Sequence, residues 1–207
     1  ENKLTMVATD GRRLALAEED VELKDDNPLE VIVPTKAIQE LSRSLGDKGD
    51  VEIQITENQV SFGLKENDGT GSLIVSKLVE GAYPNYKQVI PAESKHRVTL
   101  DKEELFHALR RAEIMTSEKA NSVKLTFSEN NLTFTANSPE VGESRETMAI
   151  KYEGEETSIA FNPQFFIDPL KALEEDEVHF EFTDQLSPGV VKVKHPFLYV
   201  IMPMRTS

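Results

Sequence analysis

A stretch near the start of the chain returns 128 residues later. Leu4-Thr5-Met6-Val7-Ala8-Thr9 reappears as Leu132-Thr133-Phe134-Thr135-Ala136-Asn137, and Leu45 meets Leu173 at the same offset. Between these anchors Val31-Ile32-Val33-Pro34 matches Ile159-Ala160-Phe161-Asn162, each a buried-strand pattern running into a short amphipathic helix. Two anchors in one register say that the chain contains one unit almost twice. The second copy also has a prelude, roughly residues 97 to 130, with no counterpart in the first because the sequence starts at Glu1. The expectation is a tandem-repeat protein cut inside a repeat.

For 207 residues this spacing favours two domains. Hydrophobic content of 38% predicts sheets with one wet face rather than fully buried parallel strands. The absence of cysteine excludes disulfides and thiolate metal sites and is compatible with a cytosolic protein. No apolar run approaches the roughly 20 residues of a membrane span, and no secretory leader is read. A net charge of −14 argues against a polyanion partner unless the basic residues are gathered somewhere. They are: acids crowd into predicted loops (Glu18 to Asp26, Asp47 to Asp50, Glu153 to Glu156, Glu174 to Glu177), while several basic residues fall on predicted helices.

Short alternating runs at 51–55, 123–127 and 190–193 read as strands with one face inward. Glu57-Asn58 and Asn130-Asn131 suit tight hairpin turns, so neighbouring strands are expected antiparallel. Three helices interrupt them. Residues 36–45 place Ala37, Ile38, Leu41 and Leu45 on one stripe with Gly46 as the stop. Asp101 and Glu104 form a capping-box-like start to a helix carrying Leu105, Ala108, Leu109 and Ala112. Asn162-Pro163 opens the third, with Phe166, Leu170 and Leu173 inward and Pro169 expected to weaken or kink it. Residues 92–96 read as a linker. The fold class is α+β.

A catalytic reading fails. His96, His107, His179 and His195 are scattered over linker, helix and strands with no carboxylate or nucleophile pattern in sequence, and no phosphate-cradling glycine loop is present. Glu174-Glu175-Asp176 reads as a solvated turn rather than a metal site. Lys36 and Arg43 lie two turns apart opposite Ile38 and Leu41; Lys102, His107, Arg110 and Arg111 flank the second helix's apolar stripe, and Lys171 sits on the third. Such charges ordinarily mark a solvated helix face. Read functionally, they form a sparse basic surface that attracts phosphates without reading bases. Tyr199-Val200-Ile201-Met202-Pro203-Met204-Arg205 reads as a final core strand that breaks away at Pro203, leaving two pliable methionines beside the break. In Thr9-Asp10-Gly11-Arg12-Arg13-Leu14, Gly11 permits positive φ.

Four strings in order, Ala8-Thr9-Asp10-Gly11-Arg12-Arg13-Leu14, Val31-Ile32-Val33-Pro34, Ser76-Lys77-Leu78-Val79-Glu80-Gly81-Ala82-Tyr83-Pro84-Asn85-Tyr86 and Met202-Pro203-Met204-Arg205, resemble the bacterial sliding clamps, the beta subunits of DNA polymerase III. The resemblance covers essentially the whole chain. It implies the DNA-clamp fold, with repeated domains, antiparallel sheets outside and short helices inside. Residues 1–93 would be a middle domain lacking its opening strand, helix and strand, and 97–207 the C-terminal domain, the first domain being absent.

The resemblance further implies a non-catalytic processivity factor, closed head to tail as a homodimeric ring around duplex DNA, bacterial and cytoplasmic at the nucleoid. Lys36, Arg43, Lys102, Arg110 and Arg111 would face the duplex, loosely enough to let the ring slide. A pocket for short peptides of polymerases, the clamp loader and repair proteins would be walled by Thr9, Gly11, Arg12, Arg13, Leu14, Pro84, Gln88, Val89, Val200, Ile201, Met202, Pro203, Met204 and Arg205. Gln88 departs from members with a basic residue there. The peptide would carry a glutamine and two hydrophobic anchors. Ile114 and Met115 match a helix end pressed against the partner subunit, and the 207-residue chain is expected monomeric, or associated through exposed edges. No cofactor or metal is implied, and no membrane. The alternative reading is an interaction module of this fold that does not encircle DNA; a hydrolase or nuclease using the acidic clusters would require metal-dependent turnover.

Overall fold

The structure is a computed structural model that describes residues 2–22, 28–46, 48–65, 71–116, 121–138 and 142–205. In chain order its elements are β1 (Lys3–Thr9), β2 (Arg13–Asp20), α1 (Thr35–Ser44), β3 (Asp50–Ile55), β4 (Gln59–Lys65), β5 (Gly71–Lys77) and a 3₁₀ turn (Tyr86–Val89). There follow β6 (His96–Asp101), α2 (Lys102–Ile114), β7 (Val123–Ser128), β8 (Asn131–Ser138), β9 (Gly142–Ala149), β10 (Thr157–Phe161) and α3 (Pro163–Ala172). The last three are β11 (Glu177–Phe182), β12 (Gly189–Lys192) and β13 (Phe197–Ile201). Every ladder is antiparallel.

The repeat survives into three dimensions. Helices α1 and α3 start and stop at positions 128 residues apart, and each ends on the repeated leucine: Leu45 donates its N–H to the Leu41 carbonyl at 3.0 Å, Leu173 to the Pro169 carbonyl at 3.1 Å. Both leucines then turn extended, which is what stops the helices. Gly46, expected as the stop, lies beyond that turn, and Leu45, expected on the buried stripe, is 47% exposed. Asp101 caps α2 by accepting the Glu104 N–H at 2.8 Å, and Asn162 caps α3 by accepting that of Gln164 at 3.0 Å. All four expected apolar residues of α2 are buried. Helix α3 is assigned unbroken through Pro169, whose side chain is buried.

Hairpins form where the asparagines predicted them. The Glu57-Asn58 turn is closed by the Thr56 N–H on the Gln59 carbonyl. The second turn sits one residue earlier than expected, on Glu129 and Asn130, with Asn130 at φ 53°, a conformation asparagine tolerates. Val31-Ile32-Val33 is not a strand. Its counterpart β10 pairs with β7, whereas the Ile32 carbonyl accepts the Val79 N–H at 2.8 Å.

The chain packs as two units, Asp25–Asn85 and Glu1–Lys24 with Tyr86–Ser207. In the first, α1 lies on the sheet β3-β4-β5, with Leu41, Val60, Phe62 and Leu64 forming a small core. In the second, a four-stranded sheet β10-β7-β8-β9 and a six-stranded sheet β1-β2-β13-β12-β11-β6 accompany α2 and α3, which pack on each other. Its core is aromatic: Phe127, Phe180 and Phe182 stack, and Phe161 and Phe166 meet Phe180. Burying each such ring contributes about 3 kcal/mol. The β1–β2 hairpin, although part of the first copy by repeat, joins this sheet through β2 and β13.

Candidate functional site

The turn between β1 and β2 is locked by its own side chains. The Thr9 hydroxyl donates to the Arg13 carbonyl at 2.7 Å and accepts the Gly11 N–H at 3.1 Å, while an Asp10 carboxylate oxygen accepts the N–H groups of Arg12 at 3.0 Å and Arg13 at 3.1 Å. Gly11 at φ 83° supplies the left-handed residue that this geometry needs.

Strand β13 runs beside β2 with Val200 opposite Leu14 and Ile201 opposite Arg13, and the Met202 N–H extends the ladder to the Arg12 carbonyl at 2.9 Å. Beyond Pro203 the Met204 N–H donates to the Ala160 carbonyl at 2.7 Å. The tail is thus tied to β2 on one side and to the end of β10 on the other. Thr9, Gly11, Arg12, Arg13, Leu14 and Val200 to Arg205 share one locality.

Strand alternation sorts these residues by face. Tyr199 and Ile201 belong to the aromatic core, whereas Val190, Val200 and Leu14, buried and aligned across three strands, belong to the other face. Met202 and Arg12 continue that second face by register. Met202 is 39% exposed beside this apolar row. Strand β12 begins at Gly189, opposite Ile201, so the loop before it, which displays an exposed Leu186, ends at the same place; no sequence signal marked that leucine. Gln88 and Val89 are exposed on the 3₁₀ turn of this unit, and Pro84 is exposed in the Asp25–Asn85 unit.

Arg13 points the other way. Its guanidinium meets Asp168 of α3 at 2.6 Å, Asp10 at 3.0 Å and the Tyr199 hydroxyl at 3.3 Å, and its central carbon stands 4.7 Å from the Phe165 ring centroid. Gln164 donates to the other Asp168 oxygen. Burial pushes Asp168 up, but hydrogen bonds from Arg13 and Gln164 outweigh it and hold the carboxyl below its ordinary value. Asp10 behaves likewise through the Arg12 and Arg13 N–H groups and the Arg13 side chain. Burial raises the Tyr199 hydroxyl's pKa despite Arg13. Sequence reading missed Asp168 and Phe165 because they lie over 150 residues from Arg13.

The basic helix residues are exposed, except half-buried Lys102, and most are engaged. Arg43 pairs with Glu40 at 3.3 Å, Arg110 with Glu113 at 2.8 Å and Arg111 with Glu146 at 3.0 Å. Lys102 donates to the Leu173 carbonyl at 2.8 Å, joining α2 to the end of α3. Lys36 is exposed on α1. At the end of α2, Ile114 is 72% exposed, while Met115 packs against the core. Folding also brings carboxylates to two histidines, Glu175 to His195 and Glu103 to His107 at 3.6 Å. Among the described residues no group of His, Asp or Glu is placed to hold a metal ion, and no described helix is long and apolar enough to cross a membrane.

The family model of the DNA polymerase III beta subunit central domain matches residues 1–85, and that of its C-terminal domain matches residues 87–205. The chain belongs to the DNA polymerase III beta subunit family. It is 38% identical over 201 residues to the beta sliding clamp of Chlamydia pneumoniae, covering 97% of this chain and 54% of that one. To the beta sliding clamp of Bacillus subtilis (strain 168) it is 34% identical over 212 residues, 100% of this chain and 55% of the relative. The crystal structure of the DNA polymerase III subunit beta from Pseudomonas aeruginosa superposes with a TM-score of 0.91 at 33% identity, over 99% of this chain and 56% of that one. A sliding clamp of the same organism was solved bound to griselimycin. The α+β architecture is therefore the clamp fold, and the chain spans about half the length of the beta subunits that it matches.

Proposed function

We propose that this chain is the middle and C-terminal portion of a processivity factor of a replicative DNA polymerase, a non-enzymatic ring that encircles duplex DNA and docks partner peptides. Residues 1–93 are the middle clamp domain and 97–207 the C-terminal one. One observation carries the docking part: the Gly11 turn and the Met202-Pro203-Met204 tail are tied side by side, next to the apolar row of Leu14, Val190 and Val200. Peptides with a glutamine and two hydrophobic anchors, from polymerase, clamp-loader and repair proteins, seat their anchors there. Gln88 and Val89 extend the wall from the 3₁₀ turn.

Support for the DNA part comes from family membership and from the helical residues Lys36, Arg43, Lys102, Arg110 and Arg111. The engagement of Arg43, Arg110 and Arg111 in ion pairs and of Lys102 in a cap suits loose, exchangeable phosphate contacts, since a strongly basic groove would arrest sliding. Ile114 and Met115 meet the partner subunit of a homodimeric ring in the full-length protein, in the bacterial cytoplasm at the nucleoid; the 207-residue chain alone is expected as a monomer, or associated through exposed edges, rather than as a ring. The deciding experiment loads the full-length protein on circular and on linear duplex and raises the salt. Retention on closed circles alone is the expected result. Equal loss from both leaves an interaction module of this fold that does not encircle DNA.

A further inference from the structure

Two adjacent arginines stand in the proposed pocket wall, and the structure gives them opposite surroundings. Arg12 lies on the Leu14–Val200–Met202 face by register, exposed, and among the described residues its side chain makes no hydrogen bond or ion pair. Arg13 lies on the core-facing side, where one guanidinium joins three polar groups and a ring: Asp10 in its own turn, Asp168 and Phe165 on α3, and Tyr199 on β13. Three of its five N–H donors, on Nε and Nη1, are committed this way, which holds the guanidinium on the core-facing side. This has a structural consequence. Asp10 accepts the Arg12 and Arg13 N–H groups while also receiving the Arg13 side chain, so whatever fixes the guanidinium fixes the shape of the turn.

We propose that Asp168 is a positioning residue for the peptide pocket: acting through Arg13, it holds the Gly11 turn against α3, and Arg12, on the Met202 face, meets acidic groups on the docked peptide. This rests on the pocket reading above. Gln164, donating to the second Asp168 oxygen, completes the support by fixing the carboxylate's orientation. The pair is partly exposed, with side chains 28% and 38% accessible, so its effect is that of a charge-assisted hydrogen bond near the surface rather than of a buried ion pair.

The test uses the 207-residue chain and a fluorescein-labelled peptide bearing a glutamine, two hydrophobic anchors and one aspartate, read by anisotropy, with amide hydrogen exchange at Gly11 and Arg12 as a peptide-free readout. Asp168→Asn and Arg13→Gln each weaken binding by about fivefold to tenfold. The double variant is no weaker than the worse single one, and Asp168→Glu recovers part of the loss. Exchange at the Gly11 turn speeds up in Asp168→Asn while α2 amides keep their protection. Arg12→Gln weakens binding too, but multiplicatively with Asp168→Asn and only for the aspartate-bearing peptide. Unchanged or tighter binding by Asp168→Asn alongside a loss in Arg13→Gln overturns the proposal, because Arg13 would then be touching the peptide itself. If the unaltered chain binds no peptide yet Asp168→Asn still loosens the turn, the pocket reading fails and the positioning role stands; if exchange does not respond, the positioning role fails.

Discussion

Ile53 and Phe180 are each the fourth residue of the strand that follows a repeated helix, yet Phe180 is wholly buried and Ile53 is 42% exposed. Each is the middle of three alternating apolar residues on its strand, Val51-Ile53-Ile55 on β3 and Val178-Phe180-Phe182 on β11, and all three on β11 are fully buried. The difference lies in the neighbours. β11 is flanked by β12 and β6, with α2 and β7 following β6 over the same core, whereas β3 has β4 alone among the described residues.

Phe180→Ala is therefore expected to cost about 3–5 kcal/mol by leaving a cavity among Phe127, Phe161, Phe166 and Phe182, and Ile53→Ala less than about 1. Urea titration of both variants checks this. A comparable loss in the two would mean that β3 is as well covered as β11.

Low pH should loosen the Arg13 cluster. Asp10 and Asp168 both titrate below their usual 3.8, so their folded pKa values lie beneath the unfolded ones. Such groups stabilise fully above the unfolded value, and that stabilisation is lost as pH falls through the folded one. Melting temperature should thus drop below about pH 4 in the unaltered chain and drop less steeply in Asp168→Asn. Parallel curves would remove Asp168 from the linkage.

The capping residues give a local test. Asp101→Ala and Asn162→Ala each leave an N–H at a helix start without its acceptor, and each is expected to cost about 1 kcal/mol by thermal unfolding. Capping is irrelevant at α1, where Pro34 offers no side-chain acceptor, so Pro34→Ala should not show that loss.

For the pocket, Met204→Ala should weaken calorimetric binding of the glutamine-bearing peptide severalfold, since a half-buried thioether side chain is removed. Equal affinity removes Met204 from the site.

On the helical face, Glu146→Gln releases Arg111 from its 3.0 Å partner. One more available cation should steepen the log–log salt dependence of duplex binding by roughly 0.9. An unchanged slope places Arg111 away from the phosphates.

The helices and hairpins were legible because their signals are local. Asp101 with Glu104, Asn162-Pro163 and the asparagine turns carry their chemistry within four residues. The repeat carried over too, since α1 and α3 start and stop 128 residues apart, as the Leu45–Leu173 offset does. What stayed hidden depends on partners distant in sequence. Val31-Ile32-Val33 has a strand's composition, but no strand pairs with it among the described residues. Leu45 has the right spacing for the buried stripe and lies past the helix end. Lys102, read as a free charge, caps α3 at Leu173. The pocket segments were recognisable by resemblance, but the face each residue takes was not: adjacent Arg12 and Arg13 part company only once β2 is registered against β13.

The β2–β13 ladder means that the piece of sequence which was duplicated and the piece which holds together are different pieces. A chimera that exchanges whole repeats with a relative would split a six-stranded sheet between β2 and β13. One grafted at residues 24 and 86 would leave every ladder intact, and it is along those seams that this architecture can be recombined.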